Sequence, residues 1–318
     1  MRGGAVGEAG GPPASNWPWT RFARPAYRAL MRIRVIDAFT DRPFAGNPAA
    51  VCLLDGEDWP DETWMRQVAA EMNLSETAFA HPLPQPADAD WALRWFTPVV
   101  ETNLCGHATL ATAHALHSDL GTPGTVRFRS RSGVLVAHSR NDGTITLDFP
   151  AAPSTEAAVP DGLADALGGK PDAAYRTGAL GDLLTVFPDE PAVRAVQPDA
   201  AGLARLARRD GFRGVIVTAA AADPGRGYDF VSCFFAPAVG IPEDPVTGSA
   251  HTALAPYWST RLGRDDLVGL QVSARTGLVR TAVRGDRVHL TGHAVTILDG
   301  TLRHAPAGAA SGSSGQAG

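Results

Sequence analysis

Apolar residues follow two different periods along this chain, and the points where the period changes mark out its elements. From Ile33 to Phe39 apolar and polar positions alternate among β-formers, which predicts a strand. Turn signals follow at Asp41-Arg42-Pro43 and Gly46-Asn47-Pro48, and the apolar run Ala49 to Leu54 predicts a second strand. Between Asp61 and Met72 the residues Trp64, Val68 and Met72 recur at four-residue spacing, so a helix is expected there with Asp61 as its cap. Trp91 to Phe96 reads as a strand, and the Ala- and Leu-rich stretch His107 to Leu116 as a helix. Strands are expected near 125–129, 133–138 and 144–149. The second half mixes strands (174–178, 183–187, 214–218, 229–235) with helices (199–208 and 249–262) and closes on strands near 268–273, 278–283, 286–291 and 294–299. Strands and helices interleave while hairpin-like pairs recur, which predicts an α/β (α+β) fold with mixed sheets.

The halves also repeat. Glu101-Thr102-Asn103-Leu104-Cys105-Gly106-His107-Ala108 can be laid over Glu243-Asp244-Pro245-Val246-Thr247-Gly248-Ser249-Ala250, and the same register matches Ala111 to Ala253. Upstream, Phe96-Thr97-Pro98 echoes Phe235-Ala236-Pro237. Each copy runs strand, Phe-x-Pro, acidic turn, Gly, Ala-rich helix. Two related domains are therefore expected, at 31–150 and 156–289, joined by the Ala-, Pro- and Ser-rich stretch Pro150 to Pro160. Residues 1–30 read as a disordered extension, or as sequence upstream of a start at Met31, and 305–318 as a disordered Ala/Gly/Ser tail.

Composition then narrows the chemistry. The net charge of -5 in 318 residues gives no basis for nucleic acid or an anionic membrane as partner, and no run approaches the length of a membrane span. Lys170 is the only lysine, and it sits in a Gly-Gly-Lys-Pro turn, so lysine Schiff-base chemistry has no suitable amine. Cys52, Cys105 and Cys233 are scattered without CxxC spacing, which fits a reducing, cytoplasmic compartment better than a disulfide scaffold. There is no GxGxxG after a strand, no GxxxxGK[ST], no HExxH and no GxSxG, so no nucleotide, nicotinamide, flavin or metal cofactor is expected.

The repeated turns are the first candidates for a site. A helix start offers unpaired N–H groups and the positive dipole end, so residues 106–108 and 248–250 (Gly106, His107, Ala108; Gly248, Ser249, Ala250) can grip a small anion if they face one pocket. The plainer reading makes Gly106 and Gly248 simple turn residues and Ser249 a helix cap. Asn73-Leu74-Ser75-Glu76-Thr77 precedes the apolar Ala78-Phe79-Ala80; a carboxylate entering an apolar strand is partly desolvated and suited to proton transfer, although a capping box would look the same. Glu243-Asp244-Pro245 places two acids before the second helix, one of which can serve the helix dipole and the other a substrate amine or hydroxyl. His107 is a candidate acid or donor. His114, His117, His251, His289 and His293 have no accompanying ligand set and read as surface or core residues.

With Asp37-Ala38-Phe39-Thr40 through Gly46-Asn47-Pro48, Ser75-Glu76-Thr77, Gly106-His107-Ala108-Thr109 and Gly240 through Ala250, in this order, the chain resembles the phenazine-biosynthesis PhzF-like isomerase/epimerase family over most of residues 31–302. That family shares its fold with diaminopimelate epimerase. The resemblance implies two similar domains, each a curved mixed sheet wrapped around a central helix, with the active site between them. It also implies return of the segment 290–302 to the first domain, a homodimer, and a cofactor-independent isomerisation of a small carboxylate-bearing metabolite. Carried over by position, Glu76 moves the proton, while His107, Asp244 and Ser249 bind and orient the substrate beside Cys105, Gly106, Ala108, Thr247 and Gly248. The epimerase branch works with a thiol at each helix start; here the paired positions read Cys105 and Thr247, so the second thiol is missing and Cys105 reads mainly as a small buried residue. Arg275-Thr276-Gly277 departs from the Gly-Gly pair many relatives carry. Two alternatives stand beside isomerisation: amino-acid racemisation or epimerisation, and non-catalytic binding of a small carboxylate.

Overall fold

A computed structural model describes residues 31–85, 87–121 and 124–304, so the readings of the extension and the tail lie outside the described residues. The first half pairs its strands in a fixed order. β1 (Met31–Ala38) lies antiparallel to β2 (Asn47–Leu53), β2 parallel to β3 (Glu76–Pro82) and β3 antiparallel to β4 (Trp91–Phe96). The short β5 (Glu101–Thr102) folds back on β4, which then runs parallel to β6 (Gly124–Ser130). Two hairpin steps, to β7 (Gly133–Ser139) and β8 (Ile145–Pro150), complete it.

The second half repeats that order, with no strand in the place of β5. β9 (Thr155–Ala157) is followed by β10 (Ala173–Arg176), which is antiparallel to β11 (Leu183–Val186). β11 is parallel to β12 (Val215–Ala220), β12 antiparallel to β13 (Phe230–Phe235), and β13 parallel to β14 (Asp266–Gln271). Hairpins to β15 (Gly277–Arg284) and β16 (Arg287–Gly292) close the series. The halves join through β8 and β16, which pair antiparallel. They also exchange strands: β9, which follows β8, pairs with β10, whereas β17 (Ala294–Leu302), which follows β16, pairs with β1. The stretch 150–160 is thus part strand, with its backbone groups taken up by β10.

The helices divide by their patterning. α1 (Glu62–Met72) carries its apolar residues on one side, buries Met65, Val68 and Ala69, and is capped by the Asp61 carboxylate at the N–H groups of Thr63 and Trp64. It covers the outer face of β1–β4 through Cys52, Phe79 and Phe96. α2 (Gly106–Leu120) is apolar on nearly every side and almost wholly buried, as a helix enclosed by a sheet must be. Its Leu110, Ala111 and Leu116 pack on Ile36, Ala78, Phe128, Leu147 and Phe149. Two five-residue helices, α3 (Leu163–Leu167) and α4 (Glu190–Arg194), make too few turns to leave a periodic signal in the sequence. The amphipathic α5 (Ala200–Asp210) joins them on the outer face of the second half. α6 (Gly248–Leu262) is the second enclosed helix, packed on Ile216, Phe230 and Phe234. Pro256 interrupts its ladder, and the Thr252 carbonyl that this frees accepts the N–H of Ala152 at 3.1 Å. Among the described residues no helix is long and apolar enough to cross a membrane.

Candidate active site between the two central helices

α2 and α6 both span 15 residues, and each begins at the glycine that the internal repeat aligns. Their starts meet: a Cβ built on Gly106 would lie 3.1 Å from the Cα of Gly248, and the same holds in reverse. Glycine is needed at both positions because the obstacle is backbone, which cannot swing aside. Neither cap residue caps its own helix by a side chain. Thr247 instead donates its hydroxyl to Asp244 Oδ2 at 2.6 Å. The Cys105 thiol stands against the Glu76 carboxyl. Thr247, and not Ser249, occupies the cap position, which corrects the plainer reading of that serine; Ser249 is the second residue of α6, and its Oγ accepts from Arg213 at 3.1 Å.

Glu76 opens β3, paired with Ala49 in a run that is buried on both sides. The capping-box alternative for this motif does not hold: Asn73 ends α1 in a left-handed conformation (φ 48°), and Glu76 already belongs to the strand. The glutamate is 7% exposed, and its Oε2 has no hydrogen-bond partner among the described residues. That oxygen lies 3.3 Å from His107 Nε2, without the alignment of a hydrogen bond. Burial, and then the nearby Asp244 charge, push the Glu76 carboxyl up to about 8. Burial alone pulls His107 down to about 3, so its imidazole is neutral. Asp244 is raised to about 6 by burial, against the opposing pull of hydrogen bonds from Thr247 and Asn47 and the charge of Arg213.

Asn47 ties these groups together. Its Nδ2 reaches Asp244 Oδ1 at 2.8 Å, the Val246 carbonyl at 2.9 Å and His107 Nδ1 at 3.1 Å. A carbonyl only accepts, so the amide nitrogen must face it, and its two hydrogens serve the Val246 carbonyl and Asp244 Oδ1. The buried Asn47 Oδ1 remains unpaired. Gly46 sets this residue in place: at φ +66°, any Cβ would fall 2.2 Å from the Ala38 carbonyl oxygen. Gln271 completes the frame, accepting the Thr247 N–H at 2.8 Å and donating to the Asp244 carbonyl at 2.6 Å. Arg275, the departure noted in the sequence, donates to Asp37 at 2.7 Å and to the carbonyls of Gly46 and Ala45, fastening the turn that carries Asn47.

The structure therefore gathers Glu76, Cys105, Gly106, His107, Asp244, Thr247 and Gly248 at one place, with Ser249 and Ala108 on the adjoining helix turns. Glu243 is exposed and outside the hydrogen-bonded set. Asn47, Gln271 and Arg213 were not among the residues expected from the sequence. Asn47 lay in a recognised turn motif; the other two sit in no motif at all. Of the remaining histidines, His251 is buried with Nδ1 2.8 Å from the Thr247 carbonyl. Donor atoms of Glu76, Cys105 and His107 fall within 4.8 Å of one another, a set that suits a soft divalent ion. A cavity of about 350 Å³ lined by Arg140, Arg264, Arg280, Arg284 and His289 includes none of these groups.

Comparison with known proteins gives this geometry a family. Residues 36–300 match the family model described as phenazine biosynthesis-like protein. An uncharacterized isomerase of Pseudomonas aeruginosa is 47% identical over 84% of this chain and 96% of its own length. Another, from Halalkalibacterium halodurans, is 43% identical over 85% of this chain and 97% of its length. The crystal structure of a PhzF-family phenazine biosynthesis protein from Enterococcus faecalis superposes with a TM-score of 0.78 at 40% identity, covering 86% of this chain and 99% of that one. The order of strands, the two enclosed helices and the motifs at their starts are thus those of a known group, and the chain belongs to the phenazine biosynthesis-like (PhzC-PhzF) family.

Proposed function

We propose that this chain, an isomerase by its family, moves a proton within a small amino- or hydroxy-carboxylic acid, with Glu76 as both base and acid. The observation that carries the reading is the state of Glu76: a buried carboxyl with one unpaired oxygen, beside a neutral imidazole and next to two helix starts. As a carboxylate it takes a proton from a substrate carbon, and the electron pair left behind spreads toward the substrate's carboxylate or a conjugated double bond. As a carboxylic acid it returns that proton to a second carbon, so substrate and product are isomers and the enzyme ends unchanged. Its raised pKa suits both halves of the cycle near neutral pH. His107, neutral and 3.3 Å from the unpaired Glu76 oxygen, is a hydrogen-bonding partner for the substrate. The first-turn N–H groups of α2 and α6 stabilise the negative charge that develops. The unpaired Asn47 Oδ1 is matched by a substrate amine or hydroxyl.

Racemisation by two thiols has less support. Opposite Cys105 stands Thr247, whose hydroxyl is committed to Asp244. The decisive experiment incubates the protein with candidate carboxylic acids in deuterated water and follows deuterium into C–H positions by mass spectrometry. Glu76→Gln should end both uptake and turnover while ligand binding persists. Undiminished turnover in that variant would reject the proton-shuttle reading.

A further inference from the structure

Glu76 and Asp244 are buried acids and His107 is neutral, so a substrate carboxylate arriving beside them meets like charge in a medium that screens poorly. Arg213 is the cation whose field acts on both acids. It comes from the turn between α5 and β12, where its own N–H donates to the Gly181 carbonyl at 2.6 Å. Its Nε and Nη2 grip the Asp182 carboxylate at 2.8 and 2.6 Å, and the guanidinium lies 5.3 Å from the centre of the Phe234 ring. Asp182 is fully buried, whereas the Arg213 side chain is 36% exposed. The guanidinium is thus fixed from behind and open in front. Nη2 also reaches Ser249 Oγ at 3.1 Å, in the first turn of α6, and Nη1 has no partner among the described residues. An arginine that served only to neutralise Asp182 would have no need to face a hydroxyl at the start of the central helix.

We propose that Arg213, with Ser249 beside it, is the residue that recognises the substrate's carboxylate, and that the enzyme accepts acids and rejects their neutral amides. The two spare N–H groups, both on Nη1, offer a carboxylate charge-assisted hydrogen bonds, and the N–H groups of the α6 first turn supply the remaining donors. The assignment rests on the proton-transfer reading for the identity of the pocket, since Ser249 stands in the first turn of α6, one of the two helix starts at that site.

The test is calorimetric titration of the full chain with 2-aminobenzoate and with its neutral isostere 2-aminobenzamide. The acid should bind the unaltered protein about tenfold more tightly than the amide or better. Arg213→Gln alone strands the buried Asp182 charge and endangers the fold, so it is paired with Asp182→Asn, which removes both charges together. In the double variant the preference for the acid should vanish, and in Arg213→Lys it should survive in part. Failure of the unaltered protein to prefer the acid, or an undiminished preference in the double variant, overturns the assignment. Binding needs no turnover, so this outcome is separate from that of the Glu76→Gln experiment.

Discussion

Gly106 and Gly248 stand backbone to backbone, each occupying the space into which a side chain on the other would have to grow. They are the aligned residues of the internal repeat, so the symmetry of the chain meets itself at this contact. A methyl group at either position should force the helix starts apart. Gly248→Ala is expected to cost about 1–3 kcal/mol, as overpacking against rigid backbone does. Urea denaturation gives the stability loss, and a lowered kcat/KM in the folded fraction would show that the separation of the two helix starts matters to the site.

The raised carboxyls set the pH at which the enzyme works. Glu76 lies near 8 and Asp244 near 6, both from burial first, and their charges act on each other. The two therefore titrate as a pair, and the observed values belong to both. A base must be ionised, so kcat/KM for proton abstraction should climb with pH along a limb well above the ordinary carboxylate range, toward 8. An ascending limb centred near 4 would contradict the desolvated-base picture.

The same shift has a thermodynamic sign. Below the ordinary value of 4.5, Glu76 is protonated in folded and unfolded chains alike, and it costs nothing. Between 4.5 and about 8 the unfolded chain releases a proton that the folded one keeps, so stability falls as pH rises through that window. Glu76→Gln removes the titration. Its thermal midpoint should stand higher above the unaltered protein's at pH 8 than at pH 4.5, in scans at both values. A difference that did not change with pH would mean that Glu76 ionises freely in the folded chain.

Much of this was written in the sequence, for identifiable reasons. β1, β2, β4 and the two enclosed helices show as alternation or long apolar runs, and the Gly106–Gly248 correspondence shows because both copies kept the same turn. Pattern cannot show the strand exchange, since β17 pairs with β1 at the other end of the described chain and nothing in Thr155–Ala157 says that β10 takes it up. Nor does local sequence announce Arg213, whose partners Asp182 and Ser249 come from two other segments. Two local readings differ from the structure because adjacent residues alone suggest them: Thr247 and not Ser249 stands at the α6 cap, and Glu76 opens a strand and is not part of a capping box.

Cys105 offers a cheaper discrimination. Burial and the neighbouring Glu76 charge hold its thiol well above the ordinary cysteine range, so little thiolate is present to act as a base. Cys105→Ser keeps a hydrogen-bonding group beside Glu76 and should retain most of the turnover rate. A thousandfold loss in rate assays of that variant, on the order expected when a reacting base is removed, would instead make the thiol a participant.

Asn47 also acts through its neighbours. It donates to Asp244 Oδ1 and the Val246 carbonyl from β2, and so couples a strand of the first half to the approach of α6 in the second. Asn47→Leu preserves the volume and removes the donors, leaving two buried acceptors without partners at a cost of about 1–3 kcal/mol each. It also withdraws one of the hydrogen bonds that lower Asp244, so that carboxyl should rise further and, through the shared charge, carry Glu76 with it. The ascending limb of the pH–rate profile should move to higher pH. Asn47→Asp should move it further still, because a third carboxylate would join two that already repel. Equal profiles for all three proteins, each shown to be folded by circular dichroism, would confine Asn47 to a structural role.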